Sequence, residues 1–138
     1  MAELILYDRE RVSAWVAKKI NHCGVWPCAN AFGVEMKGEI VAGVVLEQIN
    51  GANAVCHIAI AKPCKAMLSL FSVVCDYAFR QLGLKRITGF VSASDKAVIE
   101  FDKRLGFEEE FVMKDAATDG DVVVLVLRAD NCRWLPKG

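Results

Sequence analysis

The sequence has no net charge, no Cys-x-x-Cys pair and no long apolar run. Its 17 Lys and Arg residues balance 17 Asp and Glu residues, which argues against a domain that bulk charge holds to nucleic acid or to an anionic membrane. No apolar run approaches the roughly 20 residues that a membrane helix needs. The first seven residues include Glu3 and are followed at once by charged residues, so they do not resemble an export signal. We therefore expect a cytoplasmic protein with no nucleic-acid or membrane partner.

The chain contains six cysteines and two histidines, but their spacing is not typical of a structural metal site. The best cluster in the sequence is His22, Cys23 and Cys28, which has no obvious fourth ligand. Without export, the thiols should stay reduced and pack as small hydrophobic side chains. The sequence therefore predicts no metal centre.

Apolar residues make up 54% of the 138 positions, enough for one well-packed core. This length fits a single domain over residues 1–138. Alternating polarity, helical periodicity and the hairpin signal Asn50-Gly51 predict the order β, α, β, β, β, α, β, α, β, β. The strands are predicted over residues 4–7, 32–36, 40–49, 54–61, 86–92, 107–113 and 122–127, and the helices from Arg9, over 66–82, and after Asp95.

The segment 66–82 is nearly all apolar, with most of its polar residues on one narrow stripe, which is typical of a helix buried over most of its circumference. This helix links the strands 54–61 and 86–92. These two strands should therefore be parallel and joined by a right-handed crossover. Short turns join the other strands as hairpins, so the expected fold is α/β with a mixed sheet.

Two stretches of the sequence resemble a known family. Residues 95–107 read DKAVIEFDKRLGF, where GNAT acyltransferases commonly show Asn-x-x-Ala-x-x-Phe-Tyr-x-x-x-Gly-Phe. Residues 77–87, YAFRQLGLKRI, are similar to the end of that family's central helix and the start of its fifth strand. With the order of elements, the chain resembles the GNAT superfamily of acyl-CoA-dependent N-acyltransferases. Residues 132–135, CRWL, also resemble small GNAT-type proteins of tailed phages.

The resemblance implies a mixed, mostly antiparallel sheet of about seven strands with three to four helices, whose fourth and fifth strands are parallel but splay apart. It implies transfer of an acetyl group from acetyl-CoA to a primary amine on a small molecule or a protein. The assembly is left open between a monomer and a homodimer. A catalytically inactive protein that uses the same fold to bind a protein target is the alternative, because a fold does not fix a function.

The resemblance also assigns positions to acetyl-CoA. An acyl-CoA arm would pair with the fourth strand, and its diphosphate would meet the start of the next helix. The family commonly has a glycine-rich loop there, whereas this chain has Lys62 and Lys65, which either supply charge to phosphate or are solvated loop lysines. Asp95 replaces a common asparagine and is also a suitable helix cap. The full set is Ile58, Ala59, Ile60, Ala61, Lys62, Lys65, Ala66, Met67 and Asp95.

Two residues are candidates for catalysis. His57 lies in the middle of the fourth strand, near where the family often has a catalytic carboxylate, and histidine suits a general base near neutral pH. Strand alternation places His57 on the face opposite the core, and the alternative is a hydrogen-bonded core histidine. Asp102 occupies the position of the family's tyrosine acid. The alternative for Asp102 is an exposed helix residue, which would be ionised and a poor acid.

Overall fold

The computed structural model describes residues 1–135 and contains a seven-stranded sheet with the strand order β1-β2-β3-β4-β5-β7-β6. All strand pairings are antiparallel except β4–β5, which is parallel. The predicted α/β fold with a mixed, mostly antiparallel sheet is confirmed. The strands are β1 (Ala2–Ile5), β2 (Asn30–Met36), β3 (Glu39–Glu47), β4 (Asn53–Ile60), β5 (Arg86–Ser92), β6 (Glu108–Ala117) and β7 (Gly120–Arg128). The helices are α1 (Arg9–Lys19), α2 (Ala66–Cys75) and α3 (Lys96–Leu105).

Helix α1 packs on one face of the sheet, over β2 and β3. Its Val12 and Val16 are fully buried and lie against two strand glycines, Gly33 and Gly43. A Cβ atom at Gly43 would lie 2.7 Å from a Val16 methyl carbon, so this close approach needs glycine. Ala59 of β4 belongs to the same small apolar cluster, which places that face of β4 towards α1.

The larger core lies on the opposite face, beneath α2. Leu70 and Phe71 are fully buried there, together with Cys56 of β4 and Ile87 of β5. Sequence patterning predicted one helix over 66–82, but the regular α-helix ends at Cys75 and continues as a π-helical segment over Asp76–Gln81. Ala78 and Phe79 are buried within this segment.

Helix α3 closes the larger core from the far side of β5. Its C-terminus is Gly106 with φ of +111°, the left-handed conformation predicted for a C-terminal glycine. Leu105 and Phe107 on either side are buried in the core. Strand β7 then inserts between β5 and β6, leaving β6 at the edge of the sheet. Across residues 1–135, no helix has both the length and the apolar character to cross a bilayer.

Candidate active site

The two central strands separate after a short paired stretch. The pairs are Asn53–Arg86, Ala54–Ile87 and Val55–Thr88, and both strands continue beyond them. The Thr88 hydroxyl donates to the side-chain oxygen of Asn53 at 2.7 Å and fastens the paired end. Beyond this point the edge of β4 that faces β5 is open, so its backbone groups are available to another partner. The splayed parallel pair is therefore present as predicted.

A cavity of about 350 Å³ lies at the gap between the separated strands. Residues from β4, β5, α3 and the α1–β2 connection line it, among them His22, His57, Phe90, Asp95 and Asp102. The gap therefore brings both predicted catalytic residues to one cavity, although they come from opposite sides of the splayed strands.

His57 is held by a buried carboxylate that the sequence analysis did not identify. Its Nε2 lies 2.6 Å from an oxygen of Glu47, which is 4% exposed. The register of β3 and β4 pairs Val45 with His57 and Glu47 with Val55, so Glu47 and His57 are diagonal neighbours on one face. A carboxylate only accepts hydrogen bonds, so Nε2 donates and the lone pair of the neutral ring is on Nδ1.

The surroundings of His57 favour its neutral form. Burial lowers the pKa of His57 below its ordinary value, and the hydrogen bond to Glu47 opposes part of this lowering. A neutral imidazole with a fixed tautomer is the form that a general base requires. As predicted, the opposite face of β4 turns Cys56 into the core.

The α1–β2 connection docks beside the end of β3 and brings a second imidazole to Glu47. The amides of Gln48 and Ile49 donate to the carbonyls of Pro27 and Cys28 at 2.8 and 3.3 Å, which holds the connection in place. This docking brings the connection alongside Glu47, the last residue of β3.

His22 lies beside the Glu47 carboxylate, and its contacts with Trp26 and Gly24 fix the orientation of its ring. Its ring stacks on Trp26 with centroids 3.7 Å apart, and its Nε2 lies 3.7 Å from the Glu47 carboxylate. The Gly24 amide donates to His22 Nδ1 at 3.0 Å, so the ring hydrogen of a neutral His22 is on Nε2. Within residues 1–135, the group with metal-ligand spacing is His22, Glu47 and His57, and its ligating atoms lie within 4.8 Å of one another. The sequence cluster of His22 with Cys23 and Cys28 is therefore not the one that the fold assembles.

Asp102 is buried rather than exposed, so the sequence alternative of an exposed helix residue is wrong. It lies on the inner face of α3 and is 6% exposed, and its Oδ1 is buried with no hydrogen-bond partner among the described residues. Burial raises the pKa of Asp102 to about 7, with a smaller contribution from the charge of Asp95. At neutral pH a large fraction of Asp102 is therefore a protonated acid.

The residues assigned to acetyl-CoA do not all lie at one place in the structure. Ile58, Ile60 and Met67 line a second, mostly apolar cleft of about 560 Å³ between β4, the start of α2 and α3. The exposed Lys62 and Lys65 lie in the turn before α2, with Ala61 and Ala66 beside them. Ala59 instead turns its side chain towards the α1 face.

Asp95 stands at the N-cap position of α3 and lines the first cavity, but it makes no capping hydrogen bond through its side chain. Ser94, the residue before it, donates its hydroxyl to Asp119 at 2.6 Å. The side chain of Asp95 is therefore free to face the cavity.

The sequence matches no protein-family model, and no curated protein matches it significantly. The structure is similar to spermidine N-acetyltransferase from Vibrio cholerae in complex with CoA and spermine, with a TM-score of 0.73, 16% identity, and coverage of 94% of this chain and 96% of the other. A chimera of the Vibrio cholerae enzyme SpeG and hSSAT has a TM-score of 0.74 at 16% identity, with 99% of each chain covered. The chain therefore has the fold of the GNAT acyltransferases that its sequence resembles.

Proposed function

We propose that this chain is an N-acyltransferase that moves an acetyl group from acetyl-CoA to a primary amine. The observation that carries the proposal is the meeting of two groups at one cavity: His57, oriented by the buried Glu47, and the buried acid Asp102. Amide formation from a thioester needs a base for the incoming amine and an acid for the leaving thiolate.

The proton transfers follow from these positions. An amine is protonated at neutral pH and must lose a proton before it attacks. His57 takes this proton on Nδ1, while Glu47 holds its Nε2–H and stabilises the charged ring. The new C–N bond forms as the C–S bond of the thioester breaks. The leaving thiolate takes a proton from Asp102, and the proton that the amide nitrogen then sheds restores Asp102. His57 returns to its neutral form by releasing its proton to solvent, which is the net proton of the reaction.

The second cleft fits the arm of an acyl-CoA substrate. Its walls are apolar, with Ile58, Phe101 and Leu68 among them, and the open backbone edge of β4 borders it. An amide-bearing arm can pair with such an edge as an added strand does. The diphosphate end would meet the cations of Lys62, Lys65 and Arg104, because this turn has no glycine to let backbone approach phosphate closely.

A cationic amine is the acceptor class that best suits the first cavity. Asp95 and Asp102 line this cavity, and its lining contains no lysine or arginine among the described residues. The similar Vibrio cholerae enzyme is described as a spermidine N-acetyltransferase and was solved with spermine. We therefore place polyamines first among the acceptors to be tried, followed by a simple monoamine and a lysine-containing peptide.

The test is acetyl transfer with purified protein, acetyl-CoA and this panel of amines. The acetylated amine should be measured by mass spectrometry, because the exposed thiols of Cys23 and Cys28 would react with a thiol reagent used to detect free CoA. We expect wild-type turnover with at least one polyamine. His57→Gln should lower this turnover about 10²–10⁴-fold, the usual contribution of a general base.

The control is Gln48→Ala, which alters a side chain next to Glu47 and retains His57, and it should keep most of the activity. Wild-type turnover retained in His57→Gln would exclude His57 from the chemistry. If no amine is acetylated and acetyl-CoA does not bind, the acyltransferase proposal is wrong as a whole.

A further inference from the structure

Glu47 is a buried carboxylate that faces two imidazoles and no stronger cation. Its side chain is 6% exposed, and its ion-pair partners within residues 1–135 are His22 and His57. Neither Lys nor Arg approaches it within 4.0 Å in the part of the chain that the structure describes. Two imidazoles compensate a buried carboxylate less fully than the lysine or arginine that such groups normally have as partners.

The three side chains also have the spacing of a metal site. Nε2 of His57 and Nε2 of His22 lie 2.6 and 3.7 Å from one Glu47 oxygen, and all ligating atoms lie within 4.8 Å of one another. Zinc binds nitrogen and carboxylate oxygen at about 2.0–2.2 Å, so its ligand atoms lie roughly 3–4 Å apart. A small opening of the His57–Glu47 contact would admit the ion.

The structure assigns a second role to this group: we propose that His22, Glu47 and His57 bind one divalent cation of the zinc class, and that the bound ion inhibits acyl transfer. Two imidazoles and a carboxylate suit zinc, whereas magnesium and calcium prefer sites made of oxygen alone. The metal-binding half of this inference stands on the geometry, and the inhibitory half rests on the proposed base role of His57.

Inhibition follows from the ring tautomers. Without metal, the Nε2 hydrogen of His57 faces Glu47 and the lone pair on Nδ1 is free to accept a proton. A metal on Nε2 of neutral His57 moves the ring hydrogen to Nδ1, and the base loses its lone pair. His22 must make the same change, so the Gly24 amide that now donates to its Nδ1 has to move away.

Two features make this change feasible for His22. Gly24 lies in an exposed turn with φ of +86°, and nothing lies within 4 Å of where its Cβ would be, so the amide has room to shift. The Trp26 ring is stacked on the His22 ring, with centroids 3.7 Å apart, and keeps the His22 ring in its plane while the Gly24 amide moves.

The decisive experiment uses the fact that the chain has only two histidines. A long-range ¹H–¹⁵N spectrum of the imidazoles therefore contains two ring systems, and it needs no histidine variant to assign them to the site. The protein should carry Cys23→Ser and Cys28→Ser, because these exposed thiols would compete for the ion. We expect one equivalent of Zn²⁺ to shift the Nε2 signals of both rings. A shift of one ring alone, or of neither, would overturn the proposed site.

Calorimetry and rates give a second test. Zn²⁺ should bind once per chain, and Glu47→Gln should weaken it at least about tenfold, the lower end of what losing even a supporting group costs at a metal site. Glu35→Gln, which removes a carboxylate on β2 that pairs with Arg11, is the matched control. Equal affinities in the two variants would place the ion elsewhere and overturn the site.

The proposed inhibition is tested by the ratio of turnover with Zn²⁺ to turnover with a chelator. This ratio is measured for each of the two variants, after its folding has been checked. This ratio should be low for the Glu35→Gln protein and near one for Glu47→Gln. An unchanged rate in metal-loaded protein would refute inhibition. If no amine is acetylated, the acyltransferase proposal and the inhibition fail together, while the imidazole spectrum still decides whether the metal site exists.

Discussion

Asp102 is an aspartate kept in a place where its charge is unfavourable. It is 6% exposed, its Oδ1 has no hydrogen-bond partner within residues 1–135, and Asp95 adds a like charge at the same cavity. Burial raises the pKa of Asp102 to about 7 from 3.8. The native state therefore holds this proton more tightly than the unfolded chain, and this contribution to stability is complete below pH 3.8 and is lost as pH rises through 7.

Asp102→Asn should remove this loss of stability at higher pH, because an amide side chain does not ionise and has no charge to bury. Relative to wild type, the variant should gain stability as pH rises from 5 to 8, by roughly 3 kcal/mol, because about two of these pH units lie below the folded-state pKa of about 7. Urea unfolding at pH 5, 6, 7 and 8 measures this change. The same variant should lose turnover in the acetylation assay, since it cannot donate a proton to the thiolate.

Asp119→Asn is the control with the opposite sign. Hydrogen bonds from Ser94 and Ser92 lower the pKa of Asp119, so its contribution is present above pH 3.8 and is lost only in more acid solution. Between pH 5 and 8 its variant should differ from wild type by a constant amount. If the gap between Asp102→Asn and wild type is equally constant, Asp102 is not a protonated buried acid.

Glu47 shows why sequence reasoning found only part of the site. His57 stood out because it is a polar residue in the middle of an apolar strand. Glu47 stands at the end of a strand, where a charged residue is ordinary, and its role depends on the β3–β4 register and on a docked connection. The burial of Asp102 likewise depends on how α3 meets the sheet, which helical periodicity alone does not determine.

At the scale of elements, the start of α2 determines how phosphate could be held. The amides of Met67 and Leu68 already donate to the carbonyls of Cys64 and Lys65, each at 3.1 Å. Amides that would face a diphosphate at an open helix N-terminus are thus partly occupied. Side-chain charge would therefore have to supply more of the free energy of acetyl-CoA binding at this turn.

We predict that Lys62→Ala with Lys65→Ala weakens acetyl-CoA binding by roughly 1–3 kcal/mol, the range for losing charge-assisted hydrogen bonds. Calorimetry with acetyl-CoA measures this directly. S-acetyl-pantetheine, which has no diphosphate, should bind both proteins equally.

The matched control for this pair removes the same charge from α1. Lys18 and Lys19 are exposed there, and their replacement by alanine should leave acetyl-CoA binding unchanged. If both double variants bind acetyl-CoA as wild type does, Lys62 and Lys65 are ordinary loop lysines.

Elements with strong local signals were predicted closely. The strand over 86–92 has the predicted bounds, and at Asn50-Gly51 the Asn50 side chain accepts the amides of Ala52 and Asn53 in the predicted turn. The π-helical segment was not predicted, because its sequence, DYAFRQ, continues the helical pattern of α2 and fits a regular helix equally well. Its geometry is decided by packing against the sheet, including the contact of Tyr77 with Phe32 at 5.1 Å between ring centroids.

At the scale of the whole molecule, the site depends on α3, which borders both the cavity and the apolar cleft. The C-terminal segment fixes the end of this helix. Trp134 Nε1 donates to the carbonyl of Leu105 at 2.6 Å, and the Trp134 carbonyl accepts the Ser72 hydroxyl of α2 at 2.7 Å. The Trp134 ring also meets Phe71 edge-on, with centroids 6.0 Å apart. The last residues described therefore join the helix that carries Asp102 to the central helix.

Trp134→Phe keeps an aromatic ring against Phe71 but removes the donor to Leu105. The loss of one partly buried hydrogen bond should reduce the free energy of unfolding by about 0.5–1.5 kcal/mol. Because α3 forms one wall of the cleft proposed for acyl-CoA, the variant should raise the KM for acetyl-CoA more than it lowers kcat. Trp15→Phe is the matched control, since Trp15 lies on α1, away from both α3 and the cleft. It should change stability without a selective rise in that KM. If the two variants alter the KM for acetyl-CoA equally, the C-terminal segment stabilises the fold without positioning the wall of the cleft.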